Sequence, residues 1–185
     1  MDPPGITRHR RPFLAPVWLS MLAVVVVVAA AVMTYRSATT TVVVLVRPAE
    51  KEMGVIADPP LSSGGEERAQ RLARMFGEAA AAGRLSALYV SETRVAQQTV
   101  APLAERLGVH PIVVPVNDVN GIAARVLREH EGGTVLVIGT NDSVPRLLRA
   151  LSGRDFPATK DNEYDTVFVI SIPTFGESNV LRLRY

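Results

Sequence analysis

The feature that most constrains the fold is the segment Thr41–Lys51, which reads Thr-Val-Val-Val-Leu-Val-Arg-Pro-Ala-Glu-Lys. Its continuous, valine-rich beginning predicts a strand buried on both faces, as at the centre of a parallel sheet. Open α/β sheets bind their ligands at the carboxyl ends of such strands, so Arg47 is a candidate binding residue. Pro48 follows where a reactive side chain is expected, and its ring supplies no donor, acceptor or nucleophile.

Strand and helix patterns alternate through the rest of this region. Short apolar runs predict further strands at 87–90, 112–116, 134–138, 166–172 and 180–184. Amphipathic segments predict helices at 66–82, 93–107, 119–130 and 143–151, the second of them bent or broken at Pro102. The alternation predicts an α/β domain, a three-layer αβα sandwich with a mostly parallel central sheet.

A transmembrane helix is predicted before this domain. Residues 16–35 carry no charge, and about 20 apolar residues suffice to cross a bilayer as a helix. Three arginines precede this stretch and one follows it, so the positive-inside rule places the N-terminus in the cytoplasm and the domain outside. The alternative is a signal peptide cleaved after an Ala-x-Ala site at Ala29 and Ala31, which would release a secreted domain.

The predicted organisation therefore has four parts: a basic cytoplasmic tail at 1–15, the membrane anchor at 16–35, a spacer at 36–40 and the domain at 41–185. The basic residues around the anchor account for the pI of about 9.3, and the domain itself is nearly neutral. We therefore expect no nucleic-acid partner. The absence of cysteine and the three scattered histidines make a metal site unexpected, and no motif indicates a cofactor.

Polar residues follow three of the predicted strands, and a parallel sheet would bring them to one edge. They are Arg47 after the first, Ser91 and Arg94 after the second, and Thr140 and Asn141 after the fourth. Two converging arginines suit phosphate, which they can hold through paired hydrogen bonds. The alternative is that both arginines are surface residues paired with nearby acids, Glu50 and Glu92, and spacing alone does not decide between the two.

The same segments resemble the histidine phosphatase superfamily, also called phosphoglycerate mutase-like, and most closely its small SixA-type branch. Arg47–Lys51 reads Arg-Pro-Ala-Glu-Lys where that branch usually has Arg-His-Ala-Glu-Lys. Asp58–Gly65 resembles the family's Asp-x-Pro-Leu-Ser/Thr-x-x-Gly, and Val137–Asn141 its Val-x-Gly-His-Ser/Asn element. Ser91–Leu103 resembles the Ser-x-x-x-Arg-x-x-Gln-Thr-Ala block, with the serine one residue closer to the arginine.

The resemblance implies phosphoryl chemistry at positions that this sequence has altered. In the family, the first-motif histidine attacks phosphorus, while two arginines and a second histidine hold the transferring group. Arg47 and Arg94 match the arginines, whereas Pro48 and Thr140 stand in place of the histidines. Proline cannot attack phosphorus, and threonine carries no positive charge. Asp142 would repel phosphate if it faced the site, although a helix N-cap is its alternative role.

Three hypotheses follow. The first is a membrane-anchored domain without catalysis that binds a phosphorylated or anionic ligand through Arg47 and Arg94, or acts through a protein surface. The second is a structural or protein-interaction module with a vestigial crevice. The third is a weak phosphomonoesterase that uses Thr140, Asp58 or water, although no base is predicted next to a nucleophile.

Overall fold

The computed structural model describes residues 17–37, 39–54, 57–78, 85–157 and 163–185. The chain divides into two compact units, Met1–Ser37 and Ala38–Tyr185. The described part of the first unit is one helix, α1 (Val17–Ser37). Across the described ranges, no helix combines the length and apolar character needed to cross a membrane, so the transmembrane helix expected at 16–35 is not confirmed.

The second unit contains a sheet and helices that alternate along the chain. Its described strands are β1 (Thr40–Val46), β2 (Leu85–Ser91), β3 (Ile112–Val114), β4 (Thr134–Ile138), β5 (Thr166–Pro173) and β6 (Asn179–Arg184). The described helices are α2 (Ser63–Glu78), α3 (Arg94–Leu107), α4 (Val119–Glu129) and α5 (Ser143–Ser152). The predicted α/β alternation is confirmed.

The sheet is mixed, with strand order β3-β2-β4-β1-β5-β6. β1, β2, β3 and β4 run parallel to their neighbours in this group, whereas β5 is antiparallel to β1 and β6 is antiparallel to β5. β1 therefore lies inside the sheet, as its apolar run predicts. The carboxyl ends of β1, β2 and β4 lie at one edge and set the position of the crevice described below.

Alternate residues of β1 contribute to separate cores on the two faces of the sheet. Val43 and Leu45 belong to the cluster that includes residues of α4 and α5. Val44 and Val46 belong to the cluster that includes residues of α2 and α3. Burial on both faces explains why the strand shows no alternation of apolar and polar residues.

The helix is not broken at Pro102, the stronger of the two predicted outcomes, since α3 runs from Arg94 to Leu107 as one helix. Proline removes one backbone donor from a helix interior, a cost that burial can offset. Val100 and Leu103 flank the proline and are fully buried against the sheet. The predicted end of α2, with its glycine at position 83, lies outside the described residues.

Candidate functional site

A crevice of about 270 Å³ lies where the parallel strands end. Pro48, Thr140 and Asn141, all predicted site residues, line it together. Other side chains in its wall include Lys51, Asp58, Thr93, Asp142 and Tyr164. A larger groove of about 770 Å³ runs along α2 and α3, but it is remote from the strand ends that predict chemistry. We therefore take the smaller crevice as the candidate site.

Arg47 is buried directly after β1, with 1% of its surface exposed. Its Nη1 donates a hydrogen bond to the backbone carbonyl of Glu163 at 2.9 Å. Its guanidinium carbon lies 5.3 Å from the centroid of the Tyr164 ring, within cation–π range. Arg47 is therefore buried at the end of β1, where a carbonyl and an aromatic ring contact it, and it is not among the described residues of the crevice wall.

Pro48 forms part of the crevice wall at the first predicted reactive position. The backbone beyond it is fixed by α3, because the Ala49 N–H donates to Thr99 Oγ1 at 3.0 Å. The Thr99 hydroxyl in turn donates to the carbonyl of Val95 at 2.7 Å. The position is therefore well ordered around a residue that can neither accept nor transfer a proton through its side chain.

Ser91 and Arg94 lie on opposite sides of the turn that leads into α3. The hydroxyl of Ser91 is 3.0 Å from that of Thr93, which lines the crevice. The Arg94 side chain is exposed and lines a separate shallow pocket with Glu92. The structure therefore places Arg94 with residues of α3 and not in the wall shared by Pro48 and Thr140.

The N-terminus of α3 is occupied by a carboxylate of the chain itself. The Arg94 backbone N–H donates to both oxygens of Asp58, at 2.9 and 3.1 Å. Thr93 has the extended backbone of an N-cap, but its side chain makes no capping hydrogen bond. Asp58 thus supplies the cap from a distant loop, and the Arg94 backbone donor at the start of α3 is already satisfied.

Thr140 and Ser143 close the turn that follows β4. The Thr140 N–H donates to Ser143 Oγ at 2.7 Å, and the Ser143 N–H donates to Thr140 Oγ1 at 3.2 Å. Asp142 holds the N-cap position of α5, but its side chain makes no capping bond and lines the crevice. The placement of Asp142 therefore suits a carboxylate that repels phosphate better than one that caps α5.

Glu50 is paired with Arg68 rather than with Arg47, which corrects one of the sequence-based alternatives. The Arg68 guanidinium donates to both oxygens of Glu50, with Nε to Oε2 at 2.8 Å. The hydrogen bond from Arg68 lowers the pKa of Glu50, and the carboxylate raises the pKa of Arg68. This pair fixes the segment after Pro48 against α2 and leaves Glu50 unavailable as a general base.

No histidine lines the crevice within the described ranges. His130 ends α4 and its Nε2 is 3.0 Å from the hydroxyl of Tyr89. His110 is exposed in the connection before β3. The same residues contain no group of acidic or histidine side chains that could hold a metal ion.

Comparison with known proteins identifies the fold. The histidine phosphatase superfamily (branch 1) matches residues 43–118. The structure of the protein histidine phosphatase SixA complexed with tungstate is 17% identical, with a TM-score of 0.62 over 77% of this chain and 96% of that one. The domain has the histidine-phosphatase fold.

Two mycobacterial structures are similar to this histidine-phosphatase-like domain. One, named mycobacterial hydrolase 1, is 15% identical with a TM-score of 0.61, over 79% of this chain and 99% of that one. The other, a mycobacterial glucosyl-3-phosphoglycerate phosphatase, is 15% identical with a TM-score of 0.57, over 71% and 90%. No curated protein matches the sequence. Identities this low support the fold of the domain alone.

Sequence reasoning missed Glu163 and Tyr164 as site residues of the histidine-phosphatase-like domain. They lie in a polar stretch before β5, which carries no motif and no periodic pattern. The signal that could have drawn attention to them is their position: β5 runs antiparallel to β1, so its start lies beside the end of β1. Predicting that contact requires the strand order, which the sequence pattern left open.

Proposed function

We propose that the protein is a histidine-phosphatase-like module without catalytic activity, which acts through binding or protein contacts. The observation that carries this proposal is Pro48 at the end of β1 in the wall of the crevice. The resemblance implies a nucleophilic imidazole at this position. Without it, the crevice has no side chain of the described residues arranged as a base beside a nucleophile.

The charges around the crevice support the same proposal. Asp58 and Asp142 line it, and Lys51 is the basic residue in the described wall. A phosphate ester would approach carboxylates where a phosphatase needs positive charge. Thr140 has a hydroxyl that hydrogen-bonds the N–H of Ser143, so it lacks the charge that the resemblance implies for its position.

A phosphatase assay tests the proposal directly. We expect the unmodified protein to show no turnover of a generic phosphomonoester, and the double variant Pro48→His with Thr140→His to gain measurable turnover. Removing a nucleophile and its partners typically costs roughly a million-fold in rate, so the contrast should be large. Robust turnover by the unmodified protein would overturn the proposal, and its loss in Thr140→Val would indicate the weak phosphomonoesterase instead.

Binding of an anionic ligand is the second candidate function. It would use Arg47 and Arg94, helped by Ser91, Thr140 and Asn141. The position of Arg47 directly after β1 favours it, while the burial of Arg47 and the exposed position of Arg94 in another pocket favour the vestigial alternative. Phosphate or vanadate should raise the melting temperature if the site binds anions, and Arg94→Ala should abolish that rise. An unchanged melting temperature supports the structural or protein-interaction module.

Membrane attachment through residues 16–35 is part of the proposal and rests on the uncharged, apolar sequence of this stretch. Fractionation of cells that express the full chain tests it. The protein should stay with membranes after an alkaline carbonate wash, and external protease should digest the domain in spheroplasts. Release by the wash, or recovery of a domain shortened at Ala31 from the medium, would contradict attachment through an uncleaved anchor.

A further inference from the structure

Tyr164 contacts both Arg47 and the crevice. Its side chain lines the crevice, and its ring also contacts the Arg47 guanidinium, 5.3 Å from the ring centroid. Arg47 itself is 1% exposed, and the described wall of the crevice includes Tyr164 but not Arg47. Tyr164 is thus a residue of the described crevice wall whose ring also contacts the guanidinium.

The neighbouring residue contacts the same arginine and ties the segment to the sheet. The Glu163 carbonyl accepts a hydrogen bond from Arg47 Nη1 at 2.9 Å. The Glu163 carboxylate accepts hydrogen bonds from Arg182 at 2.6 Å and Arg184 at 3.3 Å, both on β6. The side chain of Glu163 is 19% exposed, while those of Arg182 and Arg184 are 43% and 63% exposed, so water reaches these ion pairs from the arginine side.

We propose that Tyr164 is an internal plug that keeps tetrahedral oxyanions, such as phosphate, away from Arg47. A guanidinium binds such an anion through paired N–H donors that point at two oxygens. Here a backbone carbonyl accepts a hydrogen bond from Arg47 Nη1, and the Tyr164 ring lies within cation–π range of the guanidinium. Glu163, held by β6, keeps the plug in place. This inference rests on the proposed function, since a crevice that is closed to phosphate serves no phosphatase.

Two substitutions at Tyr164 test the plug in the full chain. Tyr164→Ala removes the ring, while Tyr164→Phe keeps the ring and removes only the hydroxyl. Orthophosphate is titrated and followed by thermal shift and by calorimetry. We expect the unmodified protein and Tyr164→Phe to be insensitive, and Tyr164→Ala to bind phosphate about tenfold or more tightly, because the open crevice becomes the dominant state. Adding Arg47→Met to Tyr164→Ala should abolish the gain.

Glu163→Gln provides a second test of the inference, in which Tyr164 itself is unchanged. It weakens the ion pairs to β6 and retains the carbonyl, so we expect a smaller gain in phosphate affinity. If Tyr164→Ala does not fold, this variant decides, and no gain in it overturns the inference. Phosphate binding by the unmodified protein as tight as in Tyr164→Ala, or a folded Tyr164→Ala that stays insensitive, also overturns it.

A different measurement tests the proposed function. Turnover of a phosphomonoester by the unmodified protein would contradict the absence of catalysis, whatever the binding titrations show. Conversely, an insensitive Tyr164→Ala together with no turnover would remove the plug and leave the non-catalytic module standing.

Discussion

Two regions of the domain differ in how strongly the surrounding structure constrains their residues. One is the loop that follows Pro48, called the entry loop below, and the other is the pair of crevice residues Pro48 and Thr140. In the entry loop, whose described residues are 49–54 and 57–62, the Glu50 carbonyl accepts hydrogen bonds from both the N–H and the hydroxyl of Ser62. Pro48 and Thr140, in contrast, are half-buried residues in the crevice wall. The comparison teaches that the entry loop serves the fold, so its sequence can remain recognisable whatever residues stand at Pro48 and Thr140.

The largest effect should come from the glycine that ends the family-like motif. A Cβ on Gly65 would lie 2.3 Å from the Glu50 carbonyl oxygen, which is backbone and cannot move aside easily. We expect Gly65→Ala to destabilise the domain by about 3 kcal/mol, at the upper end for overpacking. The measurement is the free energy of unfolding in urea.

Gly64 offers a matched control one residue away on the same helix. A Cβ there meets only the Ser62 hydroxyl, at 3.9 Å. Gly64→Ala should be neutral or stabilising by up to about 1 kcal/mol, because alanine favours the helix. Equal losses in both variants would show that the close approach to Glu50 does not explain the glycine, and the comparison between loop and reactive positions would weaken.

A medium effect should come from the ion pair that fastens the entry loop to α2. Arg68→Gln should cost roughly 1–3 kcal/mol at pH 7, because it removes a bidentate, charge-assisted contact. The exposed pair between Arg154 and Glu177 is the control, and Arg154→Gln should cost at most about 1 kcal/mol. If the two variants lost similar free energies of unfolding, the pair between Glu50 and Arg68 would stabilise the domain no more than an exposed surface pair.

The Glu50 pair also predicts a pH dependence with a definite sign. The pKa of Glu50 is lowered from 4.5 by the hydrogen bond from Arg68. Its contribution to stability is therefore fully present above pH 4.5 and is lost as the pH falls through the lowered value. Unfolding curves from pH 7 downward should show the gap between the unmodified protein and Arg68→Gln narrowing only below pH 4.5.

The sequence was sufficient to predict the elements because their signals are local. The strand Thr134–Ile138 matches its predicted range to the residue, and α3 ends at its predicted position, where Gly108 adopts the left-handed conformation. Asp118 directly precedes the predicted helix and caps α4 by accepting a hydrogen bond from the Gly121 N–H. Each of these signals depends on a few neighbouring residues: the spacing of apolar side chains, the capping side chain before a helix, and the glycine after it.

The contacts within the site depend on strand order and were not predictable. Asp58 reaches the N-terminus of α3 across 36 residues, and Glu163 reaches Arg47 across 116. Spacing could bring arginines to one edge of the sheet, but it could not show that Arg47 turns beneath Tyr164 while Arg94 faces solvent. Side-chain direction at a strand end is decided by long-range packing, which no local pattern encodes.

The smallest effect should come from Tyr185, beside the ion pair of the entry loop. Its hydroxyl is buried and has no hydrogen-bond partner among the described residues. Burying a hydroxyl without a partner is costly, so we expect Tyr185→Phe to stabilise the domain by about 0.5–1 kcal/mol at pH 7. Tyr89→Phe is the contrast, since its hydroxyl is 3.0 Å from His130 Nε2 and its loss should destabilise by a similar amount.

Alkaline unfolding sharpens this last prediction. Burial raises the pKa of Tyr185 from 10 to about 12. Because the folded value lies above the unfolded one, the neutral phenol contributes stability that is complete below pH 10 and is lost between pH 10 and about 12. Tyr185→Phe should lose less stability than the unmodified protein across that interval. A variant that is less stable at pH 7 would mean that the hydroxyl is hydrogen-bonded in solution, which would connect Tyr185 to the entry loop.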